Sequence, residues 1–115
     1  MSIIIVVEDE LIVGEYLSDI LTGKGYSVVA AANAESAIAT LENRDDVRGL
    51  ITDINMPGIN GLDLAATVRE RWPGIKIIIT TGQQRPKIEE VPEGSLYLRK
   101  PYTPGSVMAA VLSLF

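Results

Sequence analysis

Cysteine and histidine are both absent from the 115 residues. Their absence excludes disulfides, thiolate metal sites, a cysteine nucleophile, a histidine-based catalytic triad and every imidazole ligand. A metal bound here has to be a hard cation held by oxygen. Basic residues are outnumbered, ten against fifteen acids for a net charge of −5, so the bulk surface does not attract nucleic acid or anionic membrane. No apolar run approaches the ~20 residues that span a bilayer. Met1 leads into Ile3–Val7 without a basic leader segment, so no membrane insertion is expected and the cytoplasm is the expected location. Internal repeats, low-complexity tracts and linkers are also missing.

What is present suits one globular domain over residues 1–115. Apolar residues make up 47% and charged residues 22%, which argues against disorder, and the length suits a single core. Ile3 to Val7 is an uninterrupted β-branched run, the pattern of a strand covered on both faces. Val13, Tyr16, Leu17, Ile20 and Leu21 follow helical spacing, with Gly23 and Gly25 placed to stop the helix. Ser27 to Ala31 reads as a second strand. Asn33 caps a predicted helix with inner positions Ala34, Ala37, Ile38 and Leu41. Gly49 to Thr52 reads as the third strand, delivering Asp53 to a loop that contains Pro57, Gly58, Asn60 and Gly61. Asn60 caps a helix running to about Trp72, where Pro73 intervenes. Lys76 to Thr81 and Ser95 to Arg99 are the fourth and fifth strands, and Thr103-Pro104 opens a last helix through Val107, Ala110, Val111 and Leu114. Only Gly82 to Gly94 breaks the rhythm. Pro86 and Pro92 there leave room for little more than one helical turn.

Strand and helix alternating in this way predict an α/β fold: a flavodoxin-like, doubly wound, five-stranded parallel sheet in the order 2-1-3-4-5 with helices on both faces. That order gathers the ends of adjacent strands at one crevice, where open α/β sheets hold ligands. Glu8-Asp9 leaves the first strand, Asp53 the third, Thr80-Thr81 the fourth and Lys100 the fifth, whereas the edge strand ends in Ala30-Ala31. Three carboxylates and one ammonium sum to −2, an excess that a divalent cation offsets. Oxygen-only ligands point to Mg²⁺, with Mn²⁺ as a substitute. The acidic segment Glu8-Asp9-Glu10 repels the phosphate of a flavin or nucleotide, which disfavours flavodoxin-like electron transfer.

The ordered set of an acidic pair, Asp53-Ile54-Asn55-Met56-Pro57 with Gly61, Thr81-Gly82 and Lys100-Pro101 resembles the response-regulator receiver domain over essentially the whole chain. The resemblance implies a stand-alone phosphoacceptor of a two-component phosphorelay, without an output domain. It implies that Asp53 is phosphorylated, that Asp9 and Asp53 bind Mg²⁺ directly, that Glu8 acts through water and that the Asn55 carbonyl is a further ligand. Thr81 and Lys100 match the residues that bind the phosphoryl group, and Thr81 with Tyr97 matches the switch pair. Implied partners are a sensor histidine kinase or histidine phosphotransferase and a downstream protein target, with no direct nucleic acid and a monomer or weak homodimer. The chain is then not an enzyme acting on external substrates.

Each residue also has a plainer reading. Glu8-Asp9-Glu10 suits a helix N-terminus, Asp53 a turn, Thr81 a strand, Lys100 a solvated surface and Tyr97 ordinary packing. Their joint order favours the receiver reading. Two rivals remain: a pseudo-receiver that binds partners without phosphorylation, and a phosphatase with an aspartyl nucleophile. The phosphatase wants a second carboxylate two residues after the nucleophile, where Asn55 stands. Met108, Leu112 and Phe115 form a second apolar stripe on the last helix, an expected partner surface.

Overall fold

The first apolar run forms β1 (Ile3–Val7), followed by α1 (Leu11–Gly23), β2 (Ser27–Ala31), α2 (Ala34–Asn43), β3 (Val47–Asp53), α3 (Gly61–Arg71), β4 (Lys76–Thr81), β5 (Leu96–Arg99) and α4 (Pro104–Leu114). This computed structural model describes residues 3–54, 56, 58–81, 95–99 and 102–114, without the side chains of 97, 99 and 114. The strands form one sheet in the order β2-β1-β3-β4-β5, and every pairing is parallel. The short helix expected between Pro86 and Pro92 lies outside the described residues.

Strand alternation explains why β1 is apolar at every position. Ile3, Ile5 and Val7 pack on one face with Ala34, Ala37 and Leu41 of α2 and Leu64, Ala65 and Val68 of α3. Ile4 and Val6 pack on the other with Leu17 and Leu21 of α1 and Val107 and Val111 of α4. Successive side chains point to opposite faces, and both faces carry helices, so no position tolerates a polar group.

The helix ends follow local chemistry. Asn33 Oδ1 accepts from the Ser36 N–H at 2.8 Å, and Asn60 Oδ1 from the Asp63 N–H at 2.9 Å, each satisfying a donor that the first turn leaves unpaired. Thr103 Oγ1 accepts from the Ser106 N–H while Ser106 Oγ accepts from the Thr103 N–H, a reciprocal cap ahead of Pro104. Of the two glycines placed to end α1, Gly25 takes the role. It has φ +93°, and the Tyr26 N–H reaches back to the Leu21 carbonyl, closing a Schellman turn. Gly23 remains inside the helix.

Three expectations need correction. β3 begins at Val47 rather than Gly49, because Ile3 pairs with Val47 and Ile4 with Gly49, leaving Arg48 as a bulge; an exposed charge at the bulge hides the strand's start from pattern reading. Tyr16 is not a core residue but 43% exposed. The second stripe of α4 divides, with Met108 packed against the core and Leu112 69% exposed. Phe115 lies outside the described residues.

Candidate functional site

Parallel register brings the acids together. Val7 of β1 lies opposite Thr52 of β3, so Glu8 leaves β1 beside Asp53, the last residue of β3. Val6 and Ile51 belong to the core on the α1/α4 side, and alternation turns Glu8 and Asp53, two residues further along, the same way. Carboxylate oxygens of Glu8, Asp9 and Asp53 all lie within 4.8 Å of one another. Glu8 and Asp53 are buried, at 9% and 5% exposure, while Asp9 is exposed. Thr81 closes β4 on the other side of Asp53 and is buried.

The backbone around Asp53 is tied on three sides. Asp53 pairs with Thr80 of β4, and the next N–H, of Ile54, donates to the Thr80 carbonyl at 3.2 Å. The Thr52 hydroxyl donates to the Asp53 carbonyl at 3.0 Å. The Gly61 N–H donates to the Ile54 carbonyl at 2.8 Å, so the first turn of α3 lies against the strand tip. A Cβ on Gly61 would stand 1.8 Å from the Asp53 carbonyl oxygen, a separation that no side chain can occupy. Gly61 therefore serves close approach rather than an irregular turn. Gly58, at φ +80°, supplies the left-handed residue of the loop.

Tyr102 is a site residue that pattern reading passed over. It stands three residues beyond the end of β5, is half-buried against the α1/α4 core and stacks on Tyr16 with ring centroids 6.3 Å apart. Burial, and then the negative charges of Glu8 and Asp53, push its phenol up to about 12. A phenol released by unfolding ionises at the ordinary value of 10.0. The contribution of neutral Tyr102 is thus intact below pH 10 and is lost as pH rises towards 12. Absorbance-detected alkaline titration is expected to show Tyr102 ionising near that upper value, and Tyr102→Phe should remove its phase and lessen the alkaline loss of stability. Survival of the phase in Tyr102→Phe would refute the assignment.

The receiver-domain profile of response regulators matches residues 4–112. The chain belongs to the response-regulator receiver family. It is 34% identical to the response regulator protein FleR of Pseudomonas aeruginosa over 86% of this chain and 21% of FleR. It is 32% identical to the chemotaxis protein CheY of Thermotoga maritima, over 94% of this chain and 92% of that protein. A receiver-domain crystal structure from Clostridium thermocellum superposes with TM-score 0.90 at 27% identity, covering 99% of this chain and 94% of that one. The chain spans 17% to 47% of the length of several curated relatives that it matches.

In this receiver domain the acids meet the requirements of a hard cation: all donors are oxygen, and they come from adjacent strands. Opposite ligands of a Mg²⁺ octahedron stand about 4 Å apart, close to the observed spread. Asn55 and Lys100 lie outside the described residues, as does the side chain of Tyr97, whose backbone pairs with Ile79 in the sheet. Among the described residues no helix is long and apolar enough to cross a membrane.

Proposed function

We propose that this receiver domain is a two-component phosphoacceptor, that Asp53 takes the phosphoryl group and that the reaction depends on Mg²⁺ or, in its place, Mn²⁺. The observation that carries the reading is the meeting of Glu8, Asp9 and Asp53 within 4.8 Å from segments far apart in sequence. Asp9 and Asp53 would hold the cation directly, the Asn55 carbonyl would add a ligand and Glu8 would act through water. When bound, the cation offsets the charge of the carboxylates and of the incoming phosphoryl oxygens.

An Asp53 oxygen attacks phosphorus in line as the bond between phosphorus and the donor imidazole nitrogen breaks. The imidazole leaves with the bonding electron pair and is free to take a proton from solvent, and Asp53 becomes an acyl phosphate. The donor histidine belongs to a partner, a histidine kinase or phosphotransferase, because this chain has none. The Thr81 hydroxyl donates to one phosphoryl oxygen and the Lys100 ammonium pairs with another. These bonds draw the tip of β4 inward, Tyr97 follows, and the population shifts towards a surface that a downstream protein binds. The domain acts in the cytoplasm as a monomer or weak homodimer and turns over no external substrate.

Acetyl phosphate with Mg²⁺ is expected to add one phosphoryl group per chain, with a chelator preventing it; mass spectrometry of the intact protein reads the result. Repeated turnover of an external phosphoester would replace the proposal with a phosphatase. Failure to incorporate phosphate from acetyl phosphate or a panel of kinases would replace it with a pseudo-receiver.

A further inference from the structure

At the end of the sheet opposite Asp53 there is a concavity of about 310 Å³. Its floor is apolar: Leu41, Val47 and Ile75 are nearly fully buried, and half-buried Trp72 forms a wall. Its rim is net cationic, with Arg44, Arg48 and Arg71 standing beside one acid, Asp45. Arg71 lies over the Trp72 ring at 4.4 Å while holding Glu42 at 2.8 Å, and Arg44 holds Asp46 at 2.8 Å. Both guanidiniums keep N–H donors beyond those used. The bulge in β3 carries Arg48 to the same rim, exposed and without an ion-pair partner among the described residues.

The wall is preformed. Arg69 Nη1 donates to the Pro73 and Ile75 carbonyls, each at 3.2 Å, and fixes the turn between α3 and β4. Charge sorts unevenly along the chain: Arg44, Arg48, Arg69, Arg71 and Lys76, half of the ten bases, belong to the segments around this end of the sheet, with the acids Glu42, Asp45, Asp46 and Glu70, in a chain of net charge −5. These segments balance at +1, whereas the other end gathers the three carboxylates Glu8, Asp9 and Asp53.

We propose that the concavity docks an acidic peptide segment of a partner protein, with one apolar side chain on the floor and carboxylates on either side paired to Arg48 and the rim. An apolar floor is of no use to a lone phosphate, and a chain of this net charge repels a long polyanion before it arrives. A short segment of a few carboxylates around one apolar anchor matches both features. The seven residues of β3, at about 3.3 Å each, place this site roughly 20 Å from Asp53. The concavity shares no residue with the acidic cluster, so docking leaves the acidic pole open.

Trp72 is the only tryptophan in the chain, so its emission reports on this site alone. The probe is a terminally blocked pentapeptide of leucine flanked on each side by two acids. It is expected to change the emission saturably, more weakly as salt is raised. Arg48→Glu should weaken binding about tenfold or more. Gly74→Leu should do the same by filling the mouth of the concavity, since a Cβ at Gly74 meets nothing within 4 Å. Asp53→Asn should bind as the parent does. No saturable change at about millimolar peptide would overturn the proposal. So would an equal response to a peptide with glycine in place of leucine, to inorganic phosphate or to a DNA oligonucleotide.

Discussion

Replacing Gly61 with alanine is expected to cost about 2–4 kcal/mol of stability, at or beyond the upper end of ordinary overpacking. For a domain of this size that lowers the melting temperature by roughly 10–15 °C. The added methyl would fall 1.8 Å from the Asp53 carbonyl oxygen, 2.7 Å from its carbonyl carbon and 2.9 Å from the Ile54 Cα. All three are backbone atoms, so no rotamer change relieves the overlap. Either α3 moves away, losing the Gly61-to-Ile54 hydrogen bond, or the tip of β3 moves and carries Asp53 out of register with Glu8 and Asp9. Phosphoryl uptake should therefore fall even at temperatures where the variant remains folded. Calorimetry and uptake kinetics on the same preparation test both parts. A melting point within a degree or two of the parent would show that the strand tip yields cheaply.

Asp53→Asn is expected to abolish phosphoryl uptake while leaving the fold intact. The substitution keeps shape, and the position ends a strand whose pairing to Thr80 is made by backbone. What it removes is the anionic oxygen that bonds to phosphorus, so no residual rate is expected. Asp9→Asn makes the informative contrast. It keeps the nucleophile and loses one carboxylate of the cluster, so uptake should slow at limiting Mg²⁺ and recover in part as Mg²⁺ is raised. Phosphate found in Asp53→Asn at the parent's level would place the acceptor elsewhere. An Asp9→Asn variant indifferent to Mg²⁺ concentration would remove Asp9 from the cation site.

The legible parts of this protein are those that rest on local or periodic rules. Asn33, Asn60 and Thr103 announce helix starts because a side-chain oxygen beside an unpaired N–H acts within three residues. The β1 run reads as a doubly covered strand because side-chain alternation demands apolar residues on both faces. Acids, a threonine and a lysine at strand ends read as one site once the strand order is inferred. Arg48 shows where pattern reading stops: a bulge is a mismatch between two strands, visible in neither alone. Tyr16 has helical core spacing and yet lies outside, stacked on a residue from the far end of the chain.

From the amino-acid sequence alone came the alternation of elements, the helix caps, the oxygen-only character of any metal site and the family resemblance, because each depends on residue type and on order along the chain and not on distances in space. Tertiary structure decided how near Glu8, Asp9 and Asp53 stand, why residue 61 must lack a side chain, that Tyr102 stacks on Tyr16, and that arginines collect over an apolar floor at the opposite pole. Those facts depend on distances between segments remote in the chain, which register and packing set and no local pattern encodes.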